Sequence, residues 1–301
     1  MYRLGLDIGG TKIEAQLLDA AGHCLRRERI TTPKQSYEHF LTGVSSLIHS
    51  FNQDHSTSFS VGIGLPGAVS PDTGRIKNSN ILILNGSDLA TDLSLRINQS
   101  VVIANDADCF ALSEAMDGAG ADGNIVFGAI LGTGCGGGVV VHKKLLQGPN
   151  AIAGEWGHNH LPGYSPEKDG PAQACYCGRN NCIERFISGT GFATRFFVNT
   201  GRKETAADII AAKQLGHVDA ILHYQHFIDA LARSLASIIN VIDPHVIVLG
   251  GGLSNVDMIY DDLPSALLHY VFSDQCNTII RKAQYGDSSG VRGAAWLPQA
   301  E

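Results

Sequence analysis

Leu4-Gly5-Leu6-Asp7-Ile8-Gly9-Gly10-Thr11-Lys12 opens on a short apolar run that ends in an acidic residue and a double glycine. Residues 3–8 read as a buried strand, Gly9-Gly10-Thr11 as a turn, and residues 12–19 as a second, alternating strand. Ala21-Gly22 then leads into a third strand over 24–31. The same plan returns at 125–131, which runs into Gly132-Thr133-Gly134 and leaves through 136–141. Two strand–glycine turn–strand units predict an internally duplicated α/β fold.

Strands and helices alternate in the rest of the chain. Residues 37–51 have the spacing of an amphipathic helix, 61–65 and 101–104 read as buried strands, and 107–116 as a helix following Asn105-Asp106. Residues 219–242 space Ile221, Leu231, Leu235 and Ile238 along one helix face and stop before Pro244. The apolar run 246–249 enters Gly250-Gly251-Gly252, a third strand with a glycine turn at its end. The best division falls near 118–123, giving a small domain of residues 1–117 plus 287–301 and a large domain of residues 118–286 that carries a cysteine-rich loop.

The 301 residues are 44% hydrophobic and 17% charged, with a formal net charge of −7 and no Lys/Arg cluster, which argues against a nucleic-acid binder. Neither a signal peptide nor a membrane-spanning apolar run is evident, so a cytoplasmic protein is expected. Cys175, Cys177 and Cys182 crowd together while Cys24, Cys109, Cys135 and Cys276 are scattered, a grouping that suggests a metal before a disulfide.

Nucleotide phosphates need several backbone N–H groups at close range, and glycine lets the chain approach them. Gly9-Gly10-Thr11-Lys12, Gly132-Thr133-Gly134 and Gly250-Gly251-Gly252 are the three candidate loops, each at the end of an apolar strand. Any one alone reads equally well as a tight turn. Neither the Walker A pattern nor the Rossmann fingerprint is present. Asp7 is placed either to hold Mg2+ directly or through water, or to cap its own turn through the Gly9 or Gly10 amide.

Asp106 meets two descriptions that spacing does not separate: a general base for an attacking hydroxyl, with Asn105 orienting that hydroxyl, or the N-cap of the following helix. Glu155 and Glu184 flank the cysteine cluster and suit either paired sugar hydroxyls or solvent. With three thiols inside eight residues, His158 supplies a fourth ligand for a closed tetrahedral zinc site; His160 competes for that place, and buried or oxidised thiols are the alternative.

Together these segments resemble the ROK family of bacterial sugar kinases. The likeness spans nearly the whole chain: LGLDIGGTKIE (4–14), GIGLPGAVSPDTG (62–74), IANDADCFALSEA (103–115), ILGTGCGGGVV (130–140), AGEWGHNHLP (153–162), CYCGRNNCIERFISGTGF (175–192), VIVLGGGLSN (246–255) and GDSSGVRGAA (286–295). The resemblance implies an actin-like, hexokinase-type (ribonuclease H-like) fold of two domains around a cleft, closing on Mg-ATP and a hexose phosphorylated at its 6-hydroxyl. It makes Asp106 the general base. Gly67, Asn80, Asn105, Asp106, Glu155, His158 and Glu184 become sugar ligands, and His158, Cys175, Cys177 and Cys182 zinc ligands. Asp7, Gly9, Gly10, Thr11, Lys12, Gly132, Thr133, Gly134 and Gly251 would border the nucleotide. A homodimer is expected on the same ground. The zinc loop departs from the family's usual second glycine at Asn181, a residue that tolerates left-handed backbone angles. Residues 77–86 and Trp156 are similar to the fructokinase and mannokinase branch, with N-acetylglucosamine kinase as the alternative. A sugar-sensing regulator without catalysis is the rival from another class. A repressor is disfavoured because only six residues precede Asp7.

Overall fold

A computed structural model describes residues 1–54 and 58–300. They form twelve strands: β1 (Tyr2–Ile8), β2 (Lys12–Leu18), β3 (Cys24–Thr31), β4 (Phe59–Leu65), β5 (Ala68–Val69), β6 (Ile76–Lys77), β7 (Val101–Asn105), β8 (Ile125–Leu131), β9 (Cys135–Val141), β10 (Lys144–Leu145), β11 (Val246–Gly250) and β12 (Ile279–Lys282). The α-helices are α1 (Tyr37–Asp54), α2 (Leu89–Ile97), α3 (Asp106–Met116), α4 (Pro166–Asp169), α5 (Glu184–Ile187), α6 (Gly189–Thr200), α7 (Ala206–Gln214), α8 (Val218–Ile242), α9 (Met258–Leu267) and α10 (Ser289–Ala300). Among the described residues no helix is long and apolar enough to cross a membrane.

Ten of the strands build two five-stranded sheets, ordered β3-β2-β1-β4-β7 and β10-β9-β8-β11-β12, and β5 and β6 form a separate antiparallel pair. The two orders are the same when each is counted along its own segment of chain, so the duplication expected from the glycine turns is real. In the first sheet β1 pairs antiparallel with β2 and parallel with β4, and β4 pairs parallel with β7. In the second, β11 runs parallel to both β8 and β12. Parallel neighbours need crossovers, which α1, α2 and the long helices supply.

The chain folds into two compact units. The first holds Met1–Asp122, Gly138–Ala153 and Gln284–Glu301; the second holds Gly123–Gly137 and Gly154–Ala283. Glu301, the last residue expected in the small domain, lies outside the described residues. The first unit's core gathers Leu4, Leu6, Ile8, Ile13, Phe40, Phe51, Ile63 and Leu65, the inward positions of β1, β2 and β4 with one face of α1.

The C-terminal helix α10 lies directly on this sheet. A methyl group at Gly5 would come within 2.0 Å of the Val291 carbonyl, and one at Gly62 within 1.9 Å of that of Ala294. Backbone meets backbone there. Burial on both sides explains why β1 reads as a continuous apolar run instead of alternating.

Most expected elements shift by a residue or two at their ends, where hydrogen bonding extends past the apolar core of the element. One shift bears on chemistry. Helix α3 starts at Asp106, and the residue that caps it is Asn105, whose side-chain oxygen accepts from the Ala107 N–H at 2.9 Å.

Candidate functional site

In the first unit, β1, β4 and β7 are adjacent parallel strands whose carboxyl ends carry Asp7, the Pro66-Gly67 bend and Asn105-Asp106. Asn105 is held at both ends of its amide, its oxygen on the α3 cap and its Nδ2 donating to the Gly67 carbonyl at 2.8 Å. One amide hydrogen is left by this arrangement for a ligand. Asp106 is the first helical residue and is exposed, with Oδ1 accepting from Ala107 N at 3.0 Å.

Asp7 lies deeper. Burial first, then the nearby Asp106 and Glu14 carboxylates, push its acid up to about 6, while Lys12 works in the opposite direction. The Gly9 N–H goes to the Lys12 carbonyl at 2.9 Å, so the turn is closed by its own backbone and that amide is not capped by Asp7. Thr32 pins the same turn, donating from Oγ1 to the Gly9 carbonyl at 2.7 Å and from its N–H to the Thr11 carbonyl at 3.1 Å. Asn80 stands against this turn: its Oδ1 is 3.8 Å from where a Gly10 methyl would be. A side-chain clamp fixes its neighbour, Ser79 N–H donating to Asn85 Oδ1 and Asn85 Nδ2 donating to the Ser79 carbonyl, each at 2.9 Å.

In the second unit, the β8 and β11 carboxyl ends bring two of the three glycine turns together. Gly251 sits at φ 80° and ψ 177°, backbone that only glycine adopts readily, and a methyl there would meet Leu131 C at 2.6 Å and Gly132 N at 2.7 Å. Beside them opens a cavity of roughly 960 Å3. Gly132, Thr133 and Gly252 lie at one part of its wall, the N-terminal turns of α6 and α7 at others, and Ala193, Ile210, Leu253 and Val256 give it an apolar lining. Helix N-termini and glycine amides suit phosphate, and apolar walls suit a base. The α6 start falls inside the quoted 175–192 stretch, which sequence reading tied to zinc and sugar and not to the nucleotide, and α7 lies outside the quoted stretches; Ser188 and the Thr205–Asp208 capping box fix where the two helices begin.

Glu184 joins that turn to the zinc loop. Its Oε2 accepts from the Cys135 N–H at 3.0 Å, directly after Gly134. The Glu155–His160 loop is stitched to the same segment by Glu184 N–H to the Gly157 carbonyl and Ile183 N–H to the Asn159 carbonyl. Glu155 itself is exposed. Trp156 points the other way. It is 1% exposed, packs edge-on against Phe127, and donates from Nε1 to the Gly136 carbonyl. Read from sequence as a mark of substrate branch, Trp156 is a core residue, held there by Phe127 and by its bond to Gly136.

His158, Cys175, Cys177 and Cys182 place one ligand atom each within 4.8 Å of one another. Cys177 and Cys182 sulfurs are 3.6 Å apart, and Cys175 Sγ is 3.6 Å from His158 Nδ1. A tetrahedral Zn2+ with ordinary bond lengths requires edges of about 3.8 Å between two sulfurs and about 3.6 Å between sulfur and nitrogen. The donor set and its spacing therefore fit zinc. His160 is outside the cluster, its Nδ1 3.1 Å from the Leu161 carbonyl. Asn181 adopts φ 56°, the left-handed conformation expected of it, and closes the loop by accepting from Gln173 N–H through Oδ1. The other ring nitrogen of His158, Nε2, is 2.8 Å from the Tyr176 hydroxyl.

Residues 3–301 match the ROK family throughout. The chain belongs to the ROK family. Among curated ROK relatives, the N-acetyl-D-glucosamine kinase of Aliivibrio salmonicida (strain LFI1238) is 40% identical over 296 residues, 97% of this chain and 98% of that protein. A ROK hexokinase from Thermus thermophilus superposes with a TM-score of 0.86 at 26% identity, covering 99% of this chain and 97% of its own. A ROK family glucokinase from Streptomyces griseus, solved with glucose and AMPPNP, gives 0.75 at 26% identity and covers 99% of both chains. This ROK protein thus has the actin-like fold of the solved sugar kinases, with a five-stranded sheet in each unit.

Proposed function

We propose that this ROK protein is an ATP-dependent N-acetyl-D-glucosamine kinase that phosphorylates the sugar's 6-hydroxyl. The cavity bounded by Gly132-Thr133, Gly252 and the α6 and α7 N-termini carries the kinase part of this reading, since it combines anion-binding amides with an apolar chamber of nucleotide size. The sugar follows from full-length identity of 40% to a protein of that name. Fructose and mannose, the first expectation from residues 77–86 and Trp156, are the weaker reading because relatives 40% and 39% identical over 97% of this chain are N-acetyl-D-glucosamine kinases.

Asp106 takes the proton of the attacking hydroxyl. Asn105, Gly67, Asn80, Glu155, His158 and Glu184 bind the sugar. Gly9–Lys12 and the two turns of the second unit hold phosphate. Asp7 would hold Mg2+, directly or through water, and the cation would offset the negative charge of the phosphate oxygens. Zn2+ on His158, Cys175, Cys177 and Cys182 would fix the loop that carries the sugar ligands. Burial and the negative charge of Asp106 both disfavour an ionised Asp7, and a cation would offset them, which favours metal over a purely structural role for Asp7.

The test is a coupled ADP-release assay across N-acetylglucosamine, N-acetylmannosamine, glucose, mannose and fructose, with the highest kcat/KM expected for N-acetylglucosamine. Higher kcat/KM on fructose would return the substrate to the first expectation. Asp106→Asn should reduce turnover by several orders of magnitude while sugar binding persists; undiminished turnover would remove Asp106 from the mechanism, and sugar binding without any ADP release by the unaltered protein would favour a sugar-sensing regulator.

A further inference from the structure

We infer that Tyr176 competes with the sugar for His158, holding the imidazole Nε2–H in the sugar-free protein and releasing it when a hexose hydroxyl takes its place. The inference rests on the reading of His158 as a sugar ligand.

The two ring nitrogens of His158 face different partners. His158 Nδ1 faces the cysteine cluster, 3.6 Å from Cys175 Sγ, and Nε2 is 2.8 Å from Tyr176 Oη. An imidazole that ligates through Nδ1 carries its one proton on Nε2, so it has a single hydrogen bond to give. The Tyr176 hydroxyl accepts it, and the two rings meet edge to face with centroids 5.0 Å apart at 87°. A sugar hydroxyl that accepts from His158 therefore has to take this proton from the phenol.

Tyr176 is built to yield. It lies between Cys175 and Cys177, two members of the cluster, so its backbone is fixed by the ligand set. The residue as a whole, by contrast, is 83% exposed. Rotation about χ1 moves the ring into solvent with little loss of packing, and the released hydroxyl finds water. The phenol also does something for the empty site: it keeps the Nε2–H satisfied and the imidazole plane oriented, in the way outer partners of metal-bound histidines commonly do. Tyr176 is thus a positioning residue that acts through His158, and each sugar-binding event includes the exchange of one solvent-exposed hydrogen bond.

Removing the hydroxyl removes the competitor. In Tyr176→Phe the ring and its edge contact remain, and the dissociation constant for N-acetylglucosamine, measured by calorimetry on the full chain without nucleotide, should fall about two- to tenfold, the worth of one exposed hydrogen bond. KM for the sugar should fall with it, and KM for ATP should not move. Tyr176→Leu, which also removes the ring, should tighten binding at least as much. Zinc content should stay near one equivalent per chain in both variants. An unchanged or larger dissociation constant in the two variants overturns the inference, because Tyr176 then either leaves His158 Nε2 available or touches the sugar itself. Zinc loss from Tyr176→Phe also overturns it, since the phenol would then serve the metal. Glucose is the second probe: if the unaltered protein binds glucose and not N-acetylglucosamine, the substrate assignment fails while the variant ratio on glucose still decides the role of Tyr176. If the unaltered protein binds neither of these, nor mannose, nor fructose, the reading of His158 as a sugar ligand fails and the inference falls with it.

Discussion

Glu114 is the perturbation with the most calculable outcome. It is fully buried near the end of α3, and its carboxylate collects four donors. Oε1 accepts from Tyr285 N–H at 3.2 Å and Ser289 Oγ at 2.7 Å, and Oε2 accepts from Ala119 N–H at 2.9 Å and Gln284 N–H at 3.0 Å. One side chain thus ties the helix that begins at Asp106 to the segment that launches α10, whose Gly290 stands against the Asp7 carboxylate. In Glu114→Gln only one oxygen remains. The least damaging rotamer keeps it at Oε2 and turns the amide toward Ser289, which can accept, leaving the Tyr285 N–H without a partner. That orphan costs about 1–3 kcal/mol, and the two bonds kept at Oε2 lose charge assistance worth about 1 kcal/mol each. Relief from burying a charge works the other way. The net expectation is about 2 kcal/mol of lost stability in the first unit. Trp296 lies on α10 and Trp156 in the second unit, so a Trp156→Phe background leaves one fluorescent reporter for the first. At ordinary urea m-values the unfolding midpoint should drop by about 1 M. A midpoint within about 0.2 M of the parent would refute the reasoning, showing that neither the donors nor the charge hold α10 in place.

Gly251→Ala should raise KM for ATP about tenfold or more and destabilise the second unit by about 2–4 kcal/mol, because it adds backbone strain to a clash with Leu131 and Gly132; nucleotide kinetics and calorimetry check both. Zinc should be present at one equivalent by elemental analysis, and its removal by a chelator should lower the unfolding temperature of the second unit; a fully active, equally stable metal-free protein would contradict this. His223 is buried with Nε2 donating to the Phe192 carbonyl at 2.8 Å, and burial, with Arg195 and His226 nearby, lowers its pKa to about 4. An unfolded chain protonates that histidine below about 6.5 while the folded one resists until about 4, so its contribution to stability is full above 6.5 and is lost as pH falls. The loss amounts to about 2 kcal/mol by pH 5, and His223→Gln should make the slope of stability between pH 6.5 and 5 correspondingly shallower in urea titrations.

Short windows determined much of this protein. The Asp7–Lys12 turn, its repeat at Gly132–Gly134, the apolar strands before them and the spacing of three cysteines are local patterns, and local backbone preference plus two-residue alternation is enough to place them. Asn181 belongs with these, since its left-handed angle follows from its own side chain. What the tertiary structure alone decided involves partners distant in sequence. Asn105 rather than Asp106 became the helix cap because Gly67, 38 residues earlier, holds the other end of its amide. His158 rather than His160 joined the cysteines because pairing across the loop aims Nδ1 of the one at Cys175 and leaves the other on the Leu161 carbonyl. Trp156 went into the core, Glu184 came over the Gly134 turn, and α6 and α7 closed a chamber around two glycine loops, all through contacts that periodicity cannot register. A side chain's chemistry is written at its own position, but the direction in which it is spent depends on which neighbours folding brings to it.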